Sequence, residues 1–303
     1  MPVNDPPTVV GLGELIWDCF EDSRRPGGAT ANVAFHVQQL GCRGVVCSRA
    51  GADALGDEFV QFLTSQGLDT SYVQRDQRRP TSTSTVDTSQ PGHPEFIIHE
   101  DVAWDALEFD EPTRELMQKA DAVCFGSLAQ RAALSRATIH RCLEATRDEC
   151  LLVYDVNLRQ EFFDRELILV SLERADVLKL NGAEVAVLSP LLEVGANSLT
   201  GFARAVCARF DIGMCCITQA EQGCLVITEA ETIDVPGIEV EVSDAVGAGD
   251  AFTAALIYAR LKNWPLSTTA RFANEVGSLV ASRPGAMPPV SDEFEALIAK
   301  FVP

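Results

Sequence analysis

The segment Asp244-Ala245-Val246-Gly247-Ala248-Gly249-Asp250 runs straight into the apolar stretch Ala251-Phe252-Thr253-Ala254-Ala255-Leu256-Ile257-Tyr258. Two glycines ahead of a helical run let the backbone come close to a ligand. The unpaired amides of a first helical turn, at the positive end of the helix dipole, then make an anion site. A carboxylate beside that site, Asp250, is electrostatically costly unless a proton has to move there. Phosphoryl transfer to a hydroxyl needs this pairing: the backbone of Gly247, Ala248 and Gly249 stabilises charge on the transferred group while Asp250 takes the acceptor's proton. The helix N-terminus is expected to favour ionised Asp250 and make it a weak base, which suffices where the proton leaves late in a loose transition state. The other reading of Asp250 is a plain helix cap, a frequent post for aspartate.

These residues need a scaffold, and the rest of the chain describes one. Short β-rich apolar runs alternate with longer amphipathic segments, the pattern of an α/β fold in which a parallel sheet is wrapped by helices. The strand candidates are Val9–Ile16, Gly44–Ser48, Ala122–Phe125, Leu151–Asp155, Val177–Leu180 and Met214–Thr218. Ala31–Leu40 places Val33, Ala34, Val37 and Leu40 on one helical stripe, and Phe59, Val60, Phe62 and Leu63 do the same in the next helix. Gly41 and Gly67 are suited to close these two helices. Two stretches break the alternation, 17–27 and 80–104, the second with a Gln90-Pro91-Gly92 turn. Thr81 to Val86 is β-branched or polar at alternate positions, and Phe96-Ile97-Ile98 resumes the strand, which together suggest a small β-lid. An irregular surface loop with a hairpin fits the same residues.

The 303 residues, 47% hydrophobic, suffice for one main domain spanning 1–303. The net charge of -20, from 44 acidic against 24 basic residues, disfavours nucleic acid and anionic membranes as partners. Ten cysteines lie scattered, often in apolar runs, and read as small core residues. The four histidines lack ligand spacing, so no structural metal is expected. Met1 to Pro7 has neither the basic nor the apolar region of a signal peptide, and no apolar run nears the roughly 18 residues that span a bilayer. A cytoplasmic, reduced protein is expected. There is no Walker-type loop, and Gly11-Leu12-Gly13 continues to Glu14 without the third glycine of a dinucleotide fingerprint.

The Asp244–Phe252 segment resembles the C-terminal signature of the ribokinase, or PfkB, family of carbohydrate kinases. Gly27-Gly28-Ala29-Thr30-Ala31-Asn32 resembles its N-terminal signature, Asn181-Gly182-Ala183-Glu184 its Asn-x-x-Glu motif, and Gly285-Ala286 the glycine-alanine after the final helix. The similarity extends over essentially the whole chain. It implies a ribokinase-like three-layer α/β/α fold with a mostly parallel central sheet and a small β-sheet lid from about 17–27 and 80–104. It also implies ATP-dependent phosphorylation of a sugar. In that resemblance Asp18, Gly27, Gly28 and Asn32 face the sugar, while Asn181 and Glu184 act near the triphosphate, Glu184 holding Mg2+ through water. Asp244 helps to hold a monovalent cation, K+, behind the anion site. Other readings of the same residues are a turn for Asp18 and a capping interaction for Asn181 and Glu184.

Thr218-Gln219-Ala220-Glu221-Gln222-Gly223 resembles the family's nucleotide loop, with Ala220 where glycine is usual. If that position needs positive φ, alanine costs about 1 kcal/mol or more there. Thr218 and Gly223 match, and Asn274 corresponds to a residue near adenine or else to an exposed polar position on its helix. Within the family the chain resembles fructokinases at Gly11-x-Gly13-Glu14, Phe125-Gly126-Ser127 and Asp155-Val156-Asn157-Leu158-Arg159, so fructose is the expected acceptor. Arg159 suits a sugar hydroxyl and equally the carboxylate of 2-keto-3-deoxygluconate. Ribose, a nucleoside, or sugar binding without catalysis on the same fold are the alternatives. Trp17, Phe96 and Trp104 either wall the sugar or pack a core. The edges of a small lid favour pairing with a second copy, so a homodimer through the lid is expected.

Overall fold

In the computed structural model, which describes residues 5–87 and 95–302, the apolar runs become strands that meet edge to edge. The chain begins with β1 (Thr8–Leu12), β2 (Ile16–Cys19), β3 (Arg24–Gly27), α1 (Ala29–Gln39), β4 (Arg43–Gly51), α2 (Ala54–Ser65) and β5 (Val73–Asp76). It continues through β6 (Thr83–Asp87), β7 (Glu95–Ile98), α3 (Glu111–Met117), β8 (Ala122–Gly126), α4 (Ala133–Glu144), β9 (Leu151–Asp155), α5 (Arg165–Leu172) and β10 (Val177–Asn181). The last third contributes α6 (Gly182–Leu191), α7 (Leu199–Phe210), β11 (Met214–Thr218), β12 (Gly223–Ile227), β13 (Thr232–Pro236), α8 (Ala248–Leu261), α9 (Leu266–Ala281) and α10 (Ser291–Phe301).

Nine strands form one sheet in the order β13-β12-β11-β10-β9-β8-β1-β4-β5, parallel except for the antiparallel β11–β12–β13 end. Strands β1 and β8 are buried at every position because helices cover both faces, which is why they read as unbroken apolar runs. Successive residues serve opposite layers: Val153 belongs to the core cluster shared with α1, α8, α9 and α10, and Tyr154 to the cluster shared with α3 to α7. Helix α8 lies deepest, with Ala251 to Ala259 all buried, as its lack of a polar face requires.

A second sheet, ordered β3-β2-β6-β7, stands outside the layers; β2 and β6 run parallel and the outer pairs antiparallel. This is the small β-lid. It starts where the expected single strand Val9–Ile16 breaks at Gly13, a position where a Cβ would lie 2.8 Å from the Thr30 hydroxyl. The lid strands end at Ile98, earlier than expected. Ala103–Ala106 instead forms a 3-10 turn, with Trp104 buried in the main core and the Arg131 guanidinium 4.0 Å over its ring. Trp17 is likewise a core residue, edge-on to Phe59 at 4.8 Å with its Nε1 donating to the Leu55 carbonyl. The Gln90-Pro91-Gly92 turn and the Phe96 side chain lie outside the described residues. All ten cysteines are free. Among the described residues no helix is long and apolar enough to cross a membrane.

Candidate active site

Strands β1, β9, β10 and β11 end on the same side of the sheet, and the chemistry-bearing residues gather there, as in open parallel sheets generally. Helix α8 enters from Gly247, whose φ of 81° is left-handed; a Cβ there would sit 2.6 Å from the Ala286 backbone. Glycine at 247 therefore serves both the turn and its close contact with the Gly285-Ala286 segment. That segment is held in turn by His36 of α1, whose Nε2 lies 2.9 Å from the Ala286 carbonyl. The first-turn amides of α8, including those of Gly249 and Asp250, have no acceptor four residues back.

Asp250 keeps one face on the cleft while protein surrounds it at depth. It accepts a 2.7 Å hydrogen bond from Asn32 Nδ2 of α1. Burial, and then the charge of Asp155, push its carboxyl from 3.8 up to about 6, against the pull of Lys179, Asn32 and Arg159. This reverses the expectation that the helix N-terminus would keep Asp250 a weak base: desolvation and a second carboxylate outweigh the dipole.

Beneath Asp250 lies a group that sequence reasoning missed. Lys179 of β10 and Asp155 of β9 are paired in register, both buried, with the Lys179 ammonium 3.1 and 3.0 Å from the two Asp155 oxygens. Thr253 of α8 donates to Asp155 Oδ2 at 2.8 Å and also to the Gly249 carbonyl at 3.0 Å, which ties the pair to the first turn of the helix. A Cβ on Gly249 would lie 3.0 Å from the Lys179 ammonium, so glycine at 249 makes room for that cation. Burial acts to lower the Lys179 pKa, but Asp155, Glu184 and Asp250 together hold it above the ordinary lysine value. The available signal was a lysine inside the apolar run Val177-Leu178-Lys179-Leu180, where a buried charge demands a partner.

On the lid side, Asp18 of β2 is half-buried, accepts from Ser84 of β6 at 2.6 Å, and has its pKa raised by burial. Gly27 pairs with Ile16 across β2–β3, and its missing Cβ leaves space for the Asp18 carboxylate, 2.8 Å away. Gly28 is the N-cap of α1. Glu14, also missed as a site residue, is buried after β1; its Oε1 accepts the Ala29 amide at 2.9 Å. Glu14 Oε2 and Asn32 Oδ1 are buried acceptors without a partner, suited to hydroxyl donors. Arg159 is exposed after β9, donating to its neighbour Leu158's carbonyl at 3.0 Å; its charge lowers the pKa values of Glu14, Asp18 and Asp250, which places it in the same cleft.

At the far end, Asn181 and Glu184 form a reciprocal capping box on α6: Asn181 Oδ1 takes the Glu184 amide at 2.9 Å and Glu184 Oε2 the Asn181 amide at 2.8 Å. Glu184 Oε1 also takes the Leu158 amide at 2.9 Å. Thr218 ends β11. Ala220 follows with a left-handed φ of 49°, and Gly223 opens β12 with φ 100°. Asn274 of α9 is buried, not exposed, and donates to the Pro236 carbonyl at 3.2 Å. Asp244 accepts from Arg25 of β3 at 2.7 Å, from the Gly285 amide at 3.1 Å and from the Val246 amide at 3.0 Å.

A parallel-sheet fold with a small second sheet, a glycine-led helix N-terminus with free amides and an adjacent carboxylate of raised pKa fits a small-molecule kinase. The chain belongs to the pfkB family of carbohydrate kinases, whose family model matches residues 5–293, and it is an ATP-dependent sugar kinase. It is 31% identical to the sugar kinase PH1459 of Pyrococcus horikoshii over 298 residues, 92% of this chain and 91% of that one. The structure of that uncharacterized sugar kinase in complex with ATP superposes with a TM-score of 0.81 at 28% identity, covering 94% and 96% of the two chains. Fructokinase-1 of Zea mays is 29% identical over 96% of this chain and 92% of its own. The fructokinase of Vibrio cholerae O395, in its fructose, ADP and calcium ion bound form, matches at 26% identity and a TM-score of 0.81, over 96% and 98%.

Proposed function

We propose that this chain phosphorylates fructose with ATP, with Asp250 as the general base and the Gly247–Gly249 backbone as the anion hole. The observation that carries the reading is the seat of Asp250: on the first turn of α8, fixed by Asn32, with its pKa raised to about 6. Such a carboxylate is still mostly ionised at neutral pH and is a better proton acceptor than an ordinary aspartate. The acceptor hydroxyl gives its proton to Asp250 as its oxygen bonds to the γ-phosphorus. The bond from that phosphorus to the bridging oxygen breaks, and ADP leaves. The α8 amides and Lys179 below Gly249 stabilise the equatorial charge, while Asp18, Asn32 and Glu14 hold the remaining hydroxyls.

Magnesium, when bound, would draw charge off the β- and γ-phosphate oxygens. Among the described residues no group of three or more histidine, cysteine, aspartate or glutamate side chains could hold it directly. An ion held mainly by water and phosphate oxygens fits this site, with Glu184, its two oxygens already on backbone amides, reaching it through water. A potassium ion beside Asp244 would share its carboxylate with Arg25. The exposed Arg159 favours a second reading, 2-keto-3-deoxygluconate, whose carboxylate its guanidinium fork would hold. The lid edge at β7, where Ile97 is 46% exposed, supports a homodimer through the lids. Native mass spectrometry showing only monomer at micromolar concentration refutes that assembly.

The deciding experiment measures ADP release with Mg2+, with and without K+, against fructose, 2-keto-3-deoxygluconate, ribose and adenosine. The highest kcat/KM is expected with fructose. A preference for the keto-deoxy acid transfers the assignment to Arg159's carboxylate reading. Sugar binding without turnover of any acceptor refutes the catalytic assignment.

A further inference from the structure

A second concavity, of about 740 Å³, lies outside the cleft at the root of the lid, between β4, β5, the loop after β5 and helix α4. Its walls carry five arginines, at 49, 75, 78, 79 and 141, against two carboxylates, Asp76 and Glu108. In a chain of net charge -20 this runs against the overall balance. Five guanidiniums around one cavity repel one another unless carboxylates or a bound anion offset them.

Carboxylates do so for three. Arg49 lies 2.9 Å from Asp76 and 2.6 Å from Glu108, Arg75 pairs with Asp57, and Arg79 lies 3.0 Å from Asp101. Among the described residues Arg78 and Arg141 have no carboxylate within 4.0 Å. Both are nevertheless held on firm supports. The Asp76 carboxylate accepts the backbone amides of Arg78 and Arg79 at 2.8 and 2.9 Å, and the Arg141 guanidinium lies 4.4 Å over the ring of Phe109, itself a wall of the cavity. Leu134, 61% exposed, adds a second apolar wall. The loop carrying Arg78 runs on into lid strand β6, and the Arg79–Asp101 pair ties it to the chain leaving β7.

We propose that this cavity binds a phosphorylated small molecule at a site distinct from the sugar and ATP cleft, with Arg78 and Arg141 as the phosphate-binding pair. Two uncompensated guanidinium forks match phosphate oxygens in geometry as well as charge. The volume falls within the roughly 300–1,000 Å³ usual for small-ligand pockets, and the Phe109 and Leu134 walls suit the ring of a sugar phosphate or a mononucleotide.

The test is isothermal titration of the full chain, its cleft first saturated with Mg2+, a non-hydrolysable ATP analogue and fructose. Ribose 5-phosphate and inorganic phosphate are titrated separately, wild type beside the double variant R78Q/R141Q. The wild type is expected to bind ribose 5-phosphate with a Kd of about 1 mM or tighter, and the double variant at least about tenfold more weakly, with unchanged melting temperature and unchanged basal turnover. Binding to wild type of inorganic phosphate too identifies the phosphate group as the recognised element. The charge-reversed R78E must lose ribose 5-phosphate binding as well. No heat with wild type up to about 10 mM ribose 5-phosphate, or equal binding by wild type and the double variant, overturns the proposal.

Discussion

Asp250→Asn should inactivate the enzyme and make the protein more stable at pH 8. The carboxyl titrates at about 6 in the fold against an ordinary 3.8, a difference of about 2 units, or about 3 kcal/mol at 1.36 kcal/mol per unit. The sign follows from linkage. A carboxyl whose folded pKa is raised binds its proton more tightly in the native state, so the charged form destabilises the fold. That cost is fully present above pH 6, shrinks as pH falls from about 6 to 4, and is absent below the unfolded value. Asparagine carries no charge to desolvate and can still accept from Asn32. Because Asp250 keeps one face on the cleft, screening reduces the gain to about 1–2 kcal/mol, a few degrees in Tm for a chain of this size. Calorimetry of both proteins at pH 8 and pH 4 separates this term from every other titrating group, since those are shared. The variant is expected to melt higher at pH 8 and to keep only about a fifth of that advantage at pH 4, with kcat down by about a hundredfold or more. Equal stability at pH 8, or the same advantage at both pH values, refutes the desolvated base; undiminished kcat refutes the base itself.

The Lys179–Asp155 pair should tune that base in opposite senses. Lys179→Met removes a charge that lowers the Asp250 pKa, so the acid limb of kcat/KM should move up by about a unit or more, whereas Asp155→Asn should move it down. Lys179→Met also strands a buried carboxylate at about 3–5 kcal/mol, and the neutral double variant K179M/D155N should recover much of this. Limbs that stay in place in folded single variants refute the coupling. Ala220→Gly relieves a left-handed alanine that costs about 1–2 kcal/mol, and the KM for ATP should fall severalfold; an unchanged KM means the strain is not felt by the nucleotide. Arg159→Met should raise the sugar KM about tenfold and move the acid limb upward, because Arg159 also lowers the Asp250 pKa. A change in KM with no movement of the limb places Arg159 farther from the base than its field implies.

Which parts of this architecture are legible in sequence depends on whether the cause is local. Leu151–Asp155 and Met214–Thr218 read as strands to the residue because burial on both faces leaves an unbroken apolar run. Strands β5, β12 and β13 were not read: β5 carries Gln74, Arg75 and Asp76, and β13 is a largely exposed edge whose strand state is imposed by β12. The left-handed turns at Gly41 and Gly67 were legible, because glycine marks a backbone need that no neighbour has to supply. The break at Gly13 was not, since it follows from the approach of Thr30 on a helix formed later in the chain. The same division runs through the candidate site. Asp250 and the glycines before it suggest the proposed anion site and base locally, but the pKa of Asp250 is decided by Asp155 and Lys179, nearly a hundred and about seventy residues away, and by burial that exists only once α8 packs on the sheet. A helix dipole can be read from a motif; the desolvation that outweighs it belongs to the fold.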